Sequence, residues 1–461
     1  MKNKNPLLVP ELRQMLEKGD SNYLRNFCES GHPAIIAEWI SALTPEEAWK
    51  VLLHADTPLR SEIFSHLDED VQVDIVDGLN RKDIARLLTD MSPDDRTDLF
   101  KKLPEDMREA VLPALAQAER EDIRRLSAYR EGTAGAAMTS DYATLSPNLT
   151  AFQAIERLRE VAPDKETIYY AYILDDRRKL LGFVSFKDLI IARREARIGD
   201  IMHKEVIYAR VEDDQEDAAR KIQKYDLIAL PVINGGDALV GIITHDDAID
   251  IITQEHTEDM EKLMAISGSH AAGVYLKTSS WIHFKNRAYW IVSLAALGLV
   301  SGIIIHSFEA TLMHMLILAL YMPMVADTGG NTGSQSATVV VRALALGEIS
   351  PGDVFRVLFK ELKIAVLLAL ILGVLSWFKV LFLSRGAEIP SGFSLEKIGA
   401  VIAIALGMQV VTATLIGALL PLGAAKMKWD PAVVASPALT TIVDITGLLL
   451  YFTTAKILLG I

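Results

Sequence analysis

The sequence predicts a multidomain membrane protein: an all-α superhelical front domain, an α/β domain made of a tandem repeat, and a C-terminal membrane domain of five helices. Apolar segments near the length of a bilayer crossing are gathered behind Trp281. All but nine of the 60 Asp and Glu residues precede that point. Two different internal repeats occupy the acidic front. At 461 residues the chain exceeds one ordinary domain.

The first repeat runs over residues 43–115. Phrases such as LTPEEAWKVLLHAD, HLDEDVQVDIVDGL and MSPDDRTDLFKKL each join a Thr, Asp, Asn, Ser or Pro start to a short apolar-periodic helix. Stacked, such units form a superhelix with acidic outer faces. The second repeat is a βαββα unit used twice. Gly182, Ser185 and Asp188 in LGFVSFKDLI recur as Gly241, Thr244 and Asp247 in VGIITHDDAI. Each hydroxyl and carboxylate then stands at a strand-to-helix junction, where it holds a ribose or caps the helix. The helix leaving the second unit leads toward the first apolar segment.

Those segments are about 288–305, 310–326, 364–383, 398–425 and 431–461. The N-terminus lacks an apolar signal region, so the front is expected in the cytosol. Five crossings then leave the C-terminus outside. The positive-inside rule agrees: Lys285, Arg287, Arg356, Lys360 and Lys363 fall on the cytosolic side, and few cations fall opposite. An odd span count excludes a simple inverted repeat in one chain, which favours a pore on the axis of a homodimer.

Two stretches break the apolar logic. Residues 323–335, PMVADTGGNTGSQ, suit unwound backbone beside water or close helix contact. A cytosolic turn between spans is the alternative. In the last segment, Ser436, Thr440 and Asp444 share one helix face at i, i+4 and i+8, and Pro437 frees a backbone carbonyl. A carboxylate in hydrocarbon costs about 2.5–3.5 kcal/mol even on lenient scales and usually marks an ion path. The donors are all oxygen, which suits a hard cation. No His or Cys cluster points to zinc or copper.

At this point the residues resemble the MgtE family of magnesium channels over essentially the full length. The specific marks are Pro323 with the run from Gly329 through Asn331 to Gln335, Asp430-Pro431, and Asp444-Ile445-Thr446-Gly447. The paired repeat resembles tandem CBS domains, including Met138-Thr139. The resemblance implies an N-terminal helical domain (1–130), two CBS domains (131–200 and 201–255), a connecting plug helix (256–280) and a pore domain (281–461). It further implies a homodimer in the bacterial cytoplasmic membrane, with Mg²⁺ both carried and bound as the closing signal. The matching regulatory positions are Glu62, Asp94 and Asp98 in the helical domain, and Asp214, Glu216, Asp226, Asp247 and Asp250 in the CBS pair. Glu255, Glu258 and Asp259 match the plug region, and Asp430 joins this set. Asp444 matches the pore carboxylate, with Thr440, Ser436 and Asn331 beside it. An Asn-Pro is usual where Ser436-Pro437 stands. The family also binds ATP in the CBS pair. Tyr170, Asp188 and Pro231 fit that site, and Lys187 joins them although it departs from the pattern, as does Leu227.

The function expected is an Mg²⁺ channel running down its electrochemical gradient. One alternative is the same architecture carrying Co²⁺, Mn²⁺ or Ni²⁺. Another is a membrane-anchored adenine-nucleotide sensor without a pore. An enzyme is not expected, because Walker, G-x-S-x-G and H-E-x-x-H motifs are missing. The net charge of −13 argues against nucleic acid and suits a cationic ligand. Cys28 is the only cysteine, so no intrachain disulfide forms.

Overall fold

A computed structural model describes residues 9–162, 165–266, 278–387, 389–434 and 437–461. Two compact units divide the chain, with the boundary at Glu255/His256. Ser436 lies outside the described residues.

The first unit begins with short helices: α1 (Val9–Lys18), α2 (Ser21–Glu29), α3 (Pro33–Ile40), α4 (Pro45–Leu52), α5 (Thr57–Ser65), α6 (Glu69–Asp77), α7 (Arg81–Asp90), α8 (Pro93–Lys102), α9 (Glu105–Val111) and α10 (Gln117–Leu126). Local chemistry starts several of them. Thr44 and Glu47 form a reciprocal capping box on α4, while Asp56 and Asn80 cap α5 and α7. Asp68 and Ser92 occupy cap positions on α6 and α8 without a side-chain cap bond, so the reading of every start residue as a cap holds only in part.

A second device closes the helix ends. Gln72 Nε2 donates to the carbonyls of Phe64, Ser65 and Leu67. Arg96 donates to those of Leu88, Thr89 and Met91, and Arg60 to those of Leu52 and Ala55. The offsets of eight and five residues recur in all three. Each long polar side chain thus satisfies the orphan carbonyls of the preceding helix. Ile36, Leu52, Phe64, Val76 and Leu88 are fully buried along the resulting core.

The tandem repeat follows as expected. Strands β1 (Tyr142–Leu145), β2 (Thr167–Leu174) and β3 (Leu180–Ser185) form one sheet, with α11 (Ala151–Val161) and α12 (Phe186–Ile191). After α13 (Ile198–Ile201) come β4 (Ala209–Arg210), α14 (Gln215–Tyr225), β5 (Ala229–Ile233), β6 (Leu239–Thr244) and α15 (His245–Leu263). In each sheet the first pair is parallel and the second antiparallel. Tyr142 and Tyr172 from one sheet share a core with Ile233, Leu239 and Ile242 from the other. The repeated glycines admit backbone. A side chain on Gly182 would lie 2.5 Å from the His203 carbonyl, and one on Gly241 would lie 2.8 Å from that of Thr139.

Helix α15 is unbroken across Glu255/His256, so the exit helix of the second repeat and the start of the expected plug segment are one element. The second unit continues with α16 (Ser280–Ser307), α17 (Glu309–His314), α18 (Ile317–Ala345), α19 (Val354–Leu383), α20 (Leu395–Lys426), α21 (Pro431–Val434) and α22 (Pro437–Leu459). Among the described residues, four stretches are long and apolar enough to cross a membrane: Ser280–Ser307, Pro351–Leu383, Leu395–Lys426 and Ala438–Leu459. Helix α18 is equally long, but its polar run lowers its hydropathy. It packs against both α20 and α22.

Candidate functional site

Residues 323–335 are continuous helix within α18. They are neither unwound nor a turn; close helix contact is what their small residues provide. Gly329, Gly330, Thr332, Gly333, Ser336 and Ala337 are buried. A side chain on Gly333 would lie 3.2 Å from the Ala413 carbonyl, and one on Gly330 would lie 3.3 Å from Thr440 Cγ2. The opposite face is polar and exposed: Asp327, Asn331, Gln335 and Thr338 at i, i+4, i+8 and i+11. This reverses the usual pattern of a helix among membrane spans. Asp444 on α22 is partly buried, and Asp327 stands close enough to it to interact electrostatically. Thr440 is also partly buried on α22.

In the same unit, Lys262 sits among the acids of the expected plug segment. Its Nζ lies 2.9 Å from Glu258 Oε1 and 3.0 Å from Asp430 Oδ2. Burial lowers its pKa, but the bonds to both carboxylates outweigh that and raise it. Asp259 is raised by burial and by the nearby Asp430 charge. Asp430 also accepts from the Ala432 N–H at the start of α21.

The front acids fall into two groups. Asp94, in the first turn of α8, has a buried Oδ1 without a hydrogen-bond partner. Desolvation, then the charges of Asp247 and Asp95, push it up to about 8. Asp247 is raised to about 7 by desolvation first and by Asp246, Asp95 and Glu166, against a bond from Thr244. Glu166 rises to about 7 by desolvation and the charges of Asp94, Asp95, Asp246 and Asp141. These carboxylates are under mutual stress. Among the described residues, no group of three or more His, Cys, Asp or Glu side chains is gathered closely enough to hold a metal ion.

The other expected regulatory acids have local duties or surface positions. Asp214 caps α14 by accepting from the Glu216 N–H, and Glu216 binds Arg220. Asp226 ends α14 in the left-handed region, φ +51°, which Asp tolerates better than most residues. Glu255 accepts from Gln215 at 2.7 Å. Glu62 and Asp250 are exposed, and Asp98 lies 3.4 Å from Lys101.

An open cavity of about 520 Å³ between the two repeats is lined by Tyr169, Tyr170, Ser185, Phe186, Lys187 and Ile228, among others. It brings Tyr170 and Lys187 together. Asp188 adjoins it through Ser185, from whose hydroxyl and N–H it accepts, and it also accepts from His203 Nε2–H at 3.0 Å. Pro231 lies buried within β5 opposite Ile242 and is not among the lining residues. Ser185 and Asp188 form a full capping box, so capping is one duty of the repeated phrase.

Three family models match in this order along the chain. The MgtE intracellular N domain covers residues 31–132, the CBS domain covers 134–195 and 198–254, and the divalent cation transporter domain covers 322–454. The magnesium transporter MgtE of Thermus thermophilus is 34% identical over 98% of this chain and 98% of its own length. The chain belongs to the MgtE family. The MgtE transporter of Bacillus subtilis is 32% identical over 85% of this chain and 84% of its own. The soluble part of a magnesium transporter, solved as a crystal structure, is 31% identical and covers 53% of this chain and 97% of its own length, with a TM-score of 0.51. Within this MgtE chain, sequence reading passed over Asp327, Glu166, Lys262 and Gln409. Asp327 was recoverable from its spacing to Asn331. The other three emerge only from contacts between distant segments.

Proposed function

We propose that this chain carries Mg²⁺ down its electrochemical gradient through a path built around Asp444, as a homodimer with five spans per chain. The relatives named above are magnesium transporters. The observation that carries the reading is the exposed polar face of α18 beside Asp444. Such a face among membrane helices requires water or a second chain. At 1.5 Å per residue, the 29 residues of α18 extend about 44 Å, enough to act as the fifth span. In this reading the N-terminus lies in the cytosol and the C-terminus outside, in a bacterial cytoplasmic membrane.

Mg²⁺ dehydrates reluctantly, so Asp444, Asp327, Asn331 and Thr440 would act on its hydration shell. Cytosolic Mg²⁺ serves as the closing signal. The unpartnered Asp94 oxygen and the mutually repelling carboxylates around Asp247 favour a cation that enters with its hydration shell, since no three of them are gathered closely enough to hold a bare ion. Binding only to the compact arrangement stabilises it by mass action. Lys262 ties the plug segment to Asp430, and Glu258 and Asp259 complete that cluster. ATP in the cavity beside Tyr170 and Lys187 is a further element of this reading. The description of the family as divalent cation transporters keeps Mn²⁺, Co²⁺ and Ni²⁺ as competing cargo.

The test is Mg²⁺ entry into proteoliposomes at low Mg²⁺ on the cytosolic face. Asp444→Asn is expected to lower flux by about tenfold or more, since a charged constriction concentrates counter-ions. Equal flux in both proteins would place the ion path elsewhere.

A further inference from the structure

Gln409 is fully buried in α20, at the crossing of three helices. Its Nε2 donates to the Val443 carbonyl of α22 at 2.9 Å, one residue before Asp444. That carbonyl also accepts from Thr446 Oγ1 at 3.0 Å. The amide occupies space that two glycines leave open. A side chain on Gly329 of α18 would lie 2.3 Å from Nε2, and one on Gly447 of α22 would lie 2.4 Å from it. Real Cβ atoms do not approach so closely, so a side chain at either glycine would push this amide out of its seat. Its Oε1 is buried without a partner. An amide with one unsatisfied end is a costly way to fill a core that leucine could fill. Its retained bond ties α20 to the backbone turn that carries Asp444.

We propose that Gln409 is a positioning residue for the ion path, its amide seated between Gly329 and Gly447 and holding the Val443 carbonyl so that the height and rotation of Asp444 are fixed. The inference rests on the transport reading for its consequence and on the helix crossing for its geometry. Val443 and Asp444 share a peptide unit, so a shift of the Val443 carbonyl turns the Asp444 side chain with it. The exposed polar face of α18 is referenced to the same point, because Gly329 lies between Asp327 and Asn331.

Gln409→Met keeps the length and apolar volume of the side chain and removes the N–H. In proteoliposomes at low cytosolic Mg²⁺, it is expected to change both the KM for Mg²⁺ and the Mg²⁺-to-Mn²⁺ flux ratio by about threefold or more. A purely structural role would reduce maximal flux through fewer folded proteins and leave both quantities unchanged, which would overturn the proposal. Gly447→Ala presses on the same amide from the opposite side and is expected to shift them too. A second readout does not depend on transport. With Cys28→Ser and Asp444→Cys, the rate of reaction with a charged, water-soluble thiol reagent is expected to change about threefold or more on adding Gln409→Met. Equal rates would overturn the positioning role. If the native chain moves no Mg²⁺, the transport reading falls while the thiol rate still decides this one.

Discussion

Asp94, Asp247 and Glu166 are carboxylates held far above their ordinary range, and their sign sets a pH dependence. Asp94 stands at about 8, and Asp247 and Glu166 at about 7. A carboxyl whose pKa is raised by the compact arrangement stabilises it only while protonated. That contribution is complete below the unfolded values near ~4 and disappears as pH rises through about 7 to about 8. The cations nearby do not cancel it: Lys165 is engaged with Asp141 at 3.4 Å, and Arg96 turns Nε and Nη2 to helix-end carbonyls and Nη1 to Asp122. The same argument predicts that Mg²⁺ replaces the protons. Trypsin cleavage of the full chain between the helical domain and the CBS pair should be slow near about pH 6 without Mg²⁺ and faster near about pH 9. Millimolar Mg²⁺ should slow it again at the higher pH. Cleavage independent of both would show that these acids do not hold the two domains together.

Helix packing in the membrane unit offers a matched pair on α20. A side chain on Gly417 would lie 2.2 Å from the Gly333 carbonyl of α18, whereas nothing lies within 4 Å of one on Gly423. Gly417→Ala should therefore destabilise by about 1–3 kcal/mol through overpacking. Gly423→Ala should be neutral or stabilise by up to about 1 kcal/mol through helix propensity. Thermal unfolding in detergent checks this, and equal shifts would mean that α18 and α20 do not touch at Gly333 and Gly417. These contacts also explain what the sequence concealed. The front helices and both βαββα units were legible because caps, prolines and apolar spacing act locally. Helix α18 was read as ending near Ala326, where hydropathy falls. Its continuation depends on glycines meeting α20 and α22, which no local pattern encodes. Asp444 stands out in the sequence for the opposite reason, since it is one charge in an apolar run. Gln409 was not, because a lone amide in a span gains meaning only from the two glycines that enclose it. Lys262 was overlooked among acids, although it joins Glu258 to Asp430.

For the molecule as a whole, α18 as the proposed fifth span would need its exposed stripe of Asp327, Asn331, Gln335 and Thr338 covered or wetted at membrane depth. A single chain in a bilayer would leave it on the outside of α18, against lipid, where polar side chains are costly. A two-fold axis beside α18 solves this with one contact, because each chain presents the same stripe to the other. In the proposed homodimer it would also set two copies of Asp444 and Asp327 around one water-filled path, which suits a hydrated divalent cation. The chain in detergent should therefore have the mass of two copies. With Cys28→Ser, a cysteine placed by Asn331→Cys should form an interchain disulfide on mild oxidation. One placed by Leu367→Cys, exposed on the apolar α19, should not. A monomer by mass that still carries Mg²⁺ would remove the axis and require the stripe to be wetted within one chain. Cross-linking at both positions alike would indicate collision in the bilayer rather than a shared pore.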